Sequence, residues 1–100
     1  MNPTFNIDAK IFKLDIRDEL TFECYAAMKN ALEAVAGQDI TGIVVDMGSV
    51  EYVDSAGLGL LLLLNEAAAK KHVRPVITGA HGPIERLFKL AKFATYFDFA

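Results

Sequence analysis

The spacing of hydrophobic and polar positions changes several times along the chain, and each change indicates a new element of secondary structure. Two short runs near the start, residues 5–9 and 10–16, are rich in strand-forming side chains and predict two neighbouring strands. Residues 42–47, GIVVDM, form a nearly continuous apolar run, which predicts a central strand covered on both faces. Residues 74–79 and 96–99 predict two further short strands.

Apolar residues three and four positions apart predict three helices between these strands. Thr21 is a suitable N-cap for the first helix, which we expect to end at Gly37. A loop at 48–54 leads to the second helix at 55–71, and the third begins with Pro83 at its first helical position. The alternation predicts an α/β fold with right-handed crossovers: a mixed, mostly parallel sheet of four to five strands with three to four helices packed against it.

Length and composition narrow the possible classes of function. A chain of 100 residues, 53% of them hydrophobic, suits one domain spanning 1–100. The net charge of −3 and the scattered basic residues favour protein partners or small ligands over nucleic acid or an anionic membrane. The single cysteine, Cys24, cannot form an internal disulfide, and neither a signal peptide nor a membrane-inserted segment is evident. We therefore expect a cytoplasmic protein.

The clearest candidate for chemistry is Ser55, within the sequence VDSAG, at the turn from the predicted loop into the second helix. Its simplest interpretation is an N-cap, whose hydroxyl accepts a hydrogen bond from a free amide of the first turn. A second interpretation is a modifiable side chain on a binding surface. The rest of the helix distinguishes the two.

The predicted helix at 55–71 has a solvent side marked by Glu66 and Lys70, which form an i,i+4 pair. At 100° per residue, one set of residues falls on that side and another falls opposite. The solvent-side set is Ser55, Gly59, Leu62 and Leu63, and the opposite set is Gly57, Leu61, Leu64 and Ala68. An apolar patch beside an exposed hydroxyl is typical of a partner-binding surface. Burial of the two solvent-side leucines under a neighbouring helix is the open alternative.

The segment VVDMGSVEYVDSAGLGLLL resembles the signature of the STAS domain of anti-sigma factor antagonists. In that family an apolar strand ending in Asp leads to Asp-Ser-small-Gly-Leu-Gly at a helix start. The matching residues are Val44, Val45, Asp46, Val50, Val53, Asp54, Ser55, Gly57, Leu58 and Gly59. The order of elements is similar over roughly residues 5 to 99, and PIERLFKLAKFATYF is similar to the third helix and its approach to the last strand.

The resemblance implies a bacterial regulator of transcription without enzyme activity, cofactor or metal. It implies that a cognate anti-sigma factor, itself a serine kinase of the GHKL type, phosphorylates Ser55, and that a PP2C-type phosphatase is a further partner. The unmodified form would bind the kinase and the phosphorylated form would not. The partner surface is then expected to comprise Asp54, Ser55, Ala56, Gly57, Leu58, Gly59, Leu62 and Leu63. We expect a monomer or a weak homodimer.

Three departures from the family pattern bear on the partner. The loop before the first helix, Arg17 to Thr21, lacks the family's Gly-x-Leu-Asp pattern, and Lys92 stands where a glycine is common. The chain also has no further C-terminal helix after Ala100. These differences favour another partner-switching pathway. The alternative function is a STAS-like accessory subunit of a transport or signalling complex, which binds its partner without phosphorylation.

Enzyme and metal functions fit the residues less well. Val53 replaces the first glycine of a nucleophile elbow, and Leu62 replaces the third glycine of a dinucleotide motif. His72 and His81 flank a predicted strand, where we expect them to be solvated. Together with Cys24 they lack metal-ligand spacing. A receiver domain would need a larger acidic cluster.

Overall fold

The computed structural model describes residues 2–100 and contains five strands and three α-helices. The strands are β1 (Thr4–Asp8), β2 (Ile11–Leu20), β3 (Gly42–Val53), β4 (Val76–Thr78) and β5 (Asp98–Phe99). The helices are α1 (Tyr25–Gly37), α2 (Ser55–Lys70) and α3 (Gly82–Leu90), with short 3₁₀ turns at Phe22–Cys24 and Phe93–Thr95. Within residues 2–100, none of these helices combines the length and apolar character needed to cross a membrane.

The strands form one sheet in the order β1-β2-β3-β4-β5. β1 and β2 pair antiparallel as a hairpin, and every later pair is parallel because a helix connects its strands. The predicted fold class is confirmed, as are the pairing of the first two strands and the central place of β3.

The core lies on one face of the sheet. Ile43, Val45 and Met47 of β3 are buried, whereas Asp46 between them is exposed. All three helices contribute to the same buried cluster, so they form a single layer over that face. The prediction that the central strand is covered on both faces is therefore wrong. The apolar side chain of Val44 made the strand look doubly buried, but it lies partly exposed on the open face.

The predicted loop at 48–54 is also wrong, because β3 continues to Val53. It continues because β2 is longer than predicted and pairs with β3 as far as Leu20 opposite Val53. Irregular register interrupts this pairing near Asp18, which adopts a positive φ of 62°. These bulges break the two-residue alternation on which strand prediction relies.

The predicted helix boundaries are close to those in the structure. The Thr21 hydroxyl accepts a hydrogen bond from the Glu23 amide at 3.3 Å and caps the 3₁₀ turn that leads into α1. α1 ends at Gly37 as predicted. α3 begins at Gly82, so Pro83 occupies its second position and not its first.

Burial along α2 predicts which leucines stabilise the fold. We expect Leu64→Ala, at a fully buried position, to lower the free energy of unfolding by about 2–5 kcal/mol through lost burial and a cavity. Leu63, which is 40% exposed, is the matched control, and we expect Leu63→Ala to cost less than about 1 kcal/mol. Urea denaturation measures both. Equal losses would mean that the helix orientation is incorrect.

Candidate functional site

The candidate site lies where β3 ends and α2 begins. Asp54 has an extended backbone and is the N-cap of α2, and its Oδ1 atom accepts a hydrogen bond from the Gly57 amide at 2.7 Å. Ser55 is the first residue of the helix proper. The interpretation of Ser55 as the N-cap is therefore wrong. Asp and Ser are both favourable caps, and the sequence DS does not show which of the two begins the helix.

The Ser55 side chain is exposed at the first position of α2. Its hydroxyl makes no hydrogen bond within residues 2–100, since the neighbouring carboxylate supplies the cap. The hydroxyl is thus free to react or to contact another molecule without breaking an interaction of the fold.

Gly57 brings the first turn of α2 against the end of β2. A Cβ atom at this position would collide with the Leu20 carbonyl oxygen and lie 2.9 Å from the Leu20 carbonyl carbon. The same carbonyl oxygen accepts a hydrogen bond from the Asp54 amide at 3.3 Å. Gly57 is buried, so its position supports helix-to-sheet packing and not the direct partner contact expected from the sequence.

The rest of the predicted surface is partly exposed. All of the opposite set, Gly57, Leu61, Leu64 and Ala68, is buried, which confirms the inner face of α2. On the outer face Gly59 and Leu63 are exposed, but Leu62 packs against the core and is only partly accessible. Ala56 and Leu58 are also partly buried. The expectation that Leu62 and Leu63 are both exposed therefore holds only for Leu63.

Aromatic side chains that the sequence analysis missed extend this surface. Phe22 is 70% exposed and stacks on Tyr25 with ring centroids 6.1 Å apart. The 3₁₀ turn that contains Phe22 contacts α2. Tyr52 is also exposed and lies two residues before Asp54, the cap of α2. Phe22 follows the cap Thr21 directly, at the first position of the turn. That position was the available signal in the sequence.

The surroundings of Ser55 are acidic. The carboxylates at this end of the sheet belong to Asp18, Glu19, Glu23, Glu51 and Asp54. Between Lys29 and Lys70 the sequence contains no lysine or arginine. A negative group added to Ser55 would therefore have no basic side chain within residues 30–69 to neutralise it.

The site is a surface and not an enclosed pocket. A mainly apolar cavity of about 390 Å³ lies between α3 and the end of the chain, lined in part by Phe88 and Phe99, and Ser55 does not border it. His72 and His81 are exposed, as expected, and the His81 Nε2 atom lies 3.2 Å from the Gly48 carbonyl oxygen. Within residues 2–100, no group of three or more potential ligand residues is placed to hold a metal ion.

Comparisons with known proteins agree with this architecture. A family model described as "Mlab, STAS domain" matches residues 4–97. No curated protein sequence matches the chain. An anti-sigma factor antagonist from Mycobacterium paratuberculosis has a similar structure, with a TM-score of 0.81 at 21% identity over 98% of this chain and 83% of that one.

Three further similar structures belong to two proteins with different described roles. The anti-sigma factor antagonist SpoIIAA, unphosphorylated, gives a TM-score of 0.77 at 13% identity, over 98% of this chain and 86% of that one. Its phosphorylated form, described as a Bacillus cell fate determinant, gives a TM-score of 0.72 at 15% identity, over 98% of this chain and 90% of that one. A sulfate transporter family protein from Wolinella succinogenes gives a TM-score of 0.77 at 16% identity, over 90% of this chain and 73% of that one. At these identities the likeness shows a shared fold.

The two glycines of α2 allow a matched test of the junction. We expect Gly57→Ala to lower the free energy of unfolding by roughly 1–3 kcal/mol, because the added methyl group meets the rigid backbone of Leu20. We expect Gly59→Ala to raise it by about 0.5–1 kcal/mol, because that position is helical and has open space around it. Thermal or urea unfolding measures both. Two changes of the same sign would contradict this role of Gly57.

Proposed function

The chain belongs to the STAS-domain family, and we propose that it is a phosphorylation-controlled binding switch, an anti-sigma factor antagonist. In this proposal it binds a cognate anti-sigma factor with serine kinase activity while Ser55 is unmodified, and releases it once Ser55 is phosphorylated. The observation that carries the proposal is the exposed Ser55 hydroxyl at the first position of α2, left free because Asp54 caps the helix.

A phosphate on Ser55 is compatible with the fold. The amino end of a helix carries a partial positive charge, which stabilises an anion there by about 0.3–1 kcal/mol. The side chain is exposed, so the added group displaces no core residue. The nearby Asp54 carboxylate opposes this effect through like-charge repulsion. The phosphorylated domain therefore keeps its structure, as the similar SpoIIAA fold does in both forms.

The same phosphate opposes binding. It adds a charge of about −1.5 to −2 beside Asp54, in a segment without lysine or arginine. The adjoining surface includes Leu63 and Phe22, and a partner that covers these side chains must remove water from the phosphate as well. Desolvation and repulsion by Asp54 therefore act together at the contact, while the fold is unaffected.

The partner surface in this proposal is centred on the first turns of α2. It combines the accessible residues predicted from the sequence with the aromatic pair beside them: Asp54, Ser55, Ala56, Leu58, Gly59, Leu62, Leu63, Phe22 and Tyr25. Gly57 lies beneath this surface and holds α2 in place. A GHKL-type kinase would add the phosphate and a PP2C-type phosphatase would remove it. The domain itself performs no catalysis in this scheme, and within residues 2–100 the Ser55 hydroxyl makes no hydrogen bond to a base that could activate it.

The second candidate function is an accessory subunit of a transport complex. It is favoured by the similar structure of a sulfate transporter family protein. Such a subunit would use the apolar surface of α2 and would not need the hydroxyl of Ser55. The response of binding to changes at Ser55 therefore separates the two functions.

We expect a cognate kinase to place one phosphate on Ser55 and to bind the phosphorylated domain at least tenfold more weakly, about 1.4 kcal/mol. Ser55→Ala keeps full affinity because the hydroxyl makes no interaction that the fold requires. Ser55→Asp loses part of the affinity, since one carboxylate carries less charge than a phosphate. Calorimetric titration of the kinase against the four forms measures these differences.

Leu63→Ala is the control for the surface itself, and we expect it to weaken binding whether or not Ser55 is phosphorylated. Equal affinities of the wild-type, Ser55→Asp and phosphorylated forms would contradict the switch. If Leu63→Ala still weakened binding in that case, the result would support the transport-type subunit.

A further inference from the structure

β1 is an edge strand whose outer side is unpaired. It is the first strand of the sheet and pairs with β2 alone. All five residues of β1, Thr4 to Asp8, are exposed. Edge strands present free backbone donors and acceptors, and proteins commonly protect them with lysine, proline or bulges. The sequence TFNID contains none of these protections within the strand.

The hairpin register shows which backbone groups are free. Ala9 and Lys10 form a two-residue turn with φ values of 51° and 65°, so Asp8 and Ile11 close the hairpin as a hydrogen-bonded pair. Bonding alternates along an antiparallel pair, so Thr4, Asn6 and Asp8 bond inward to β2. The amide and carbonyl groups of Phe5 and Ile7 therefore point outward from the sheet.

The side chains of the same two residues are also incompletely covered. Phe5 lies opposite Leu14 and Ile7 opposite Phe12, which places both on the helix-covered face. They nevertheless remain 39% and 37% exposed, because the helix layer does not fully reach the sheet edge. Within residues 2–100, β1 thus leaves the outward backbone groups of Phe5 and Ile7 without partners. Their side chains are only partly covered, although the Phe5 ring stacks on Phe12 with centroids 5.0 Å apart.

We propose that β1 pairs antiparallel with β1 of a second copy of this chain, about a two-fold axis at Asn6. In this register Phe5 of each copy lies opposite Ile7 of the other, and their outward backbone groups form four hydrogen bonds. The two aromatic–aliphatic pairs lie on one face and cover each other. On the opposite face the Thr4 hydroxyl meets the Asp8 carboxylate. The result is one continuous sheet across both copies.

A second copy fits better than another extended peptide because the strand is complementary to itself. Its free backbone groups and apolar side chains occupy positions 5 and 7, symmetric about Asn6. Its one charged residue, Asp8, meets a hydroxyl in this register and not another carboxylate. A single strand pair buries less area than a stable interface, so the dimer is weak and concentration-dependent. This inference goes beyond the proposed switch and does not involve Ser55.

Cysteine crosslinking tests the register. In the proposed dimer the two residues at position 6 form a non-hydrogen-bonded pair, with Cα atoms about 4.5 Å apart and within disulfide range. We expect Asn6→Cys to give a covalent dimer under mild oxidation. Thr4→Cys is the matched control on the same strand and face, where the two copies are separated by about 14 Å, and we expect no crosslink. The native Cys24 is buried and does not compete.

Sedimentation of the intact chain provides the second measurement. We expect the mass to rise from the monomer value of 10.9 kDa towards twice that value with concentration. Asn6→Asp places two carboxylates next to each other at the two-fold axis, and their repulsion opposes the dimer. Within each copy the new carboxylate lies opposite Lys13 of β2, which stabilises the hairpin of the monomer. We therefore expect this variant to remain monomeric. A wild-type protein that stays monomeric at all concentrations overturns the proposal. Equal crosslinking through both cysteine variants, or through neither, also overturns it.

Discussion

The close approach of α2 to the end of β2 is the constraint on which the site depends. The Leu20 carbonyl oxygen accepts a hydrogen bond from the Asp54 amide and leaves no space for a side chain at Gly57. The Gly57 amide in turn donates to the Asp54 carboxylate at 2.7 Å. Together these contacts fix the first turn of α2 without using Ser55, which lies between the two residues in sequence. The fold thereby displays a hydroxyl that it does not need.

This division of roles separates the contacts that stabilise the junction from the side chain that the proposed switch modifies. Asp54 caps α2 and Gly57 packs the helix against the sheet. A change in charge at Ser55 therefore alters the surface and leaves the core in place. Leu61 and Leu64 are buried and anchor α2 to the sheet, while the side chains of Leu63 and Phe22 are exposed. In the proposed switch, a modification of Ser55 therefore acts locally on the partner, without a conformational change in the domain.

The sequence predicts the order of elements and the inner face of α2 well, because buried leucines and alanines recur at helical spacing. It predicts the extent of β3 poorly, because β3 has one extra residue between Asp46 and Ser49 and another between Val50 and Tyr52, and these irregularities break the alternation. Gly48 and Ser49 also resemble a loop. It also misplaces the helix cap by one residue, because Asp54 and Ser55 are both suitable. The single helix layer depends on the whole topology, which the local pattern of β3 does not contain.

Some departures from the family pattern have a structural meaning. Lys92, where the family commonly has glycine, adopts the left-handed conformation with φ 58° and ψ 39°. This conformation costs a non-glycine residue roughly 1–2 kcal/mol, so the family preference reflects backbone geometry at this turn. The segment from Arg17 to Thr21, in contrast, borders the candidate surface and differs in its exposed charges. In the proposed function, these exposed charges bear on the identity of the partner, whereas the buried Leu20 of the same segment supports the fold.

The free energies of unfolding of Asp54→Ala and Ser55→Ala, measured side by side in urea, test most directly whether the serine is independent of the fold. Loss of the cap in Asp54→Ala is expected to cost about 0.5–2 kcal/mol. Ser55→Ala is expected to change stability by no more than about 0.5 kcal/mol, as exposed residues outside the core do. A large loss on Ser55→Ala with little change on Asp54→Ala would make Ser55 the structural cap and contradict its role as a free hydroxyl.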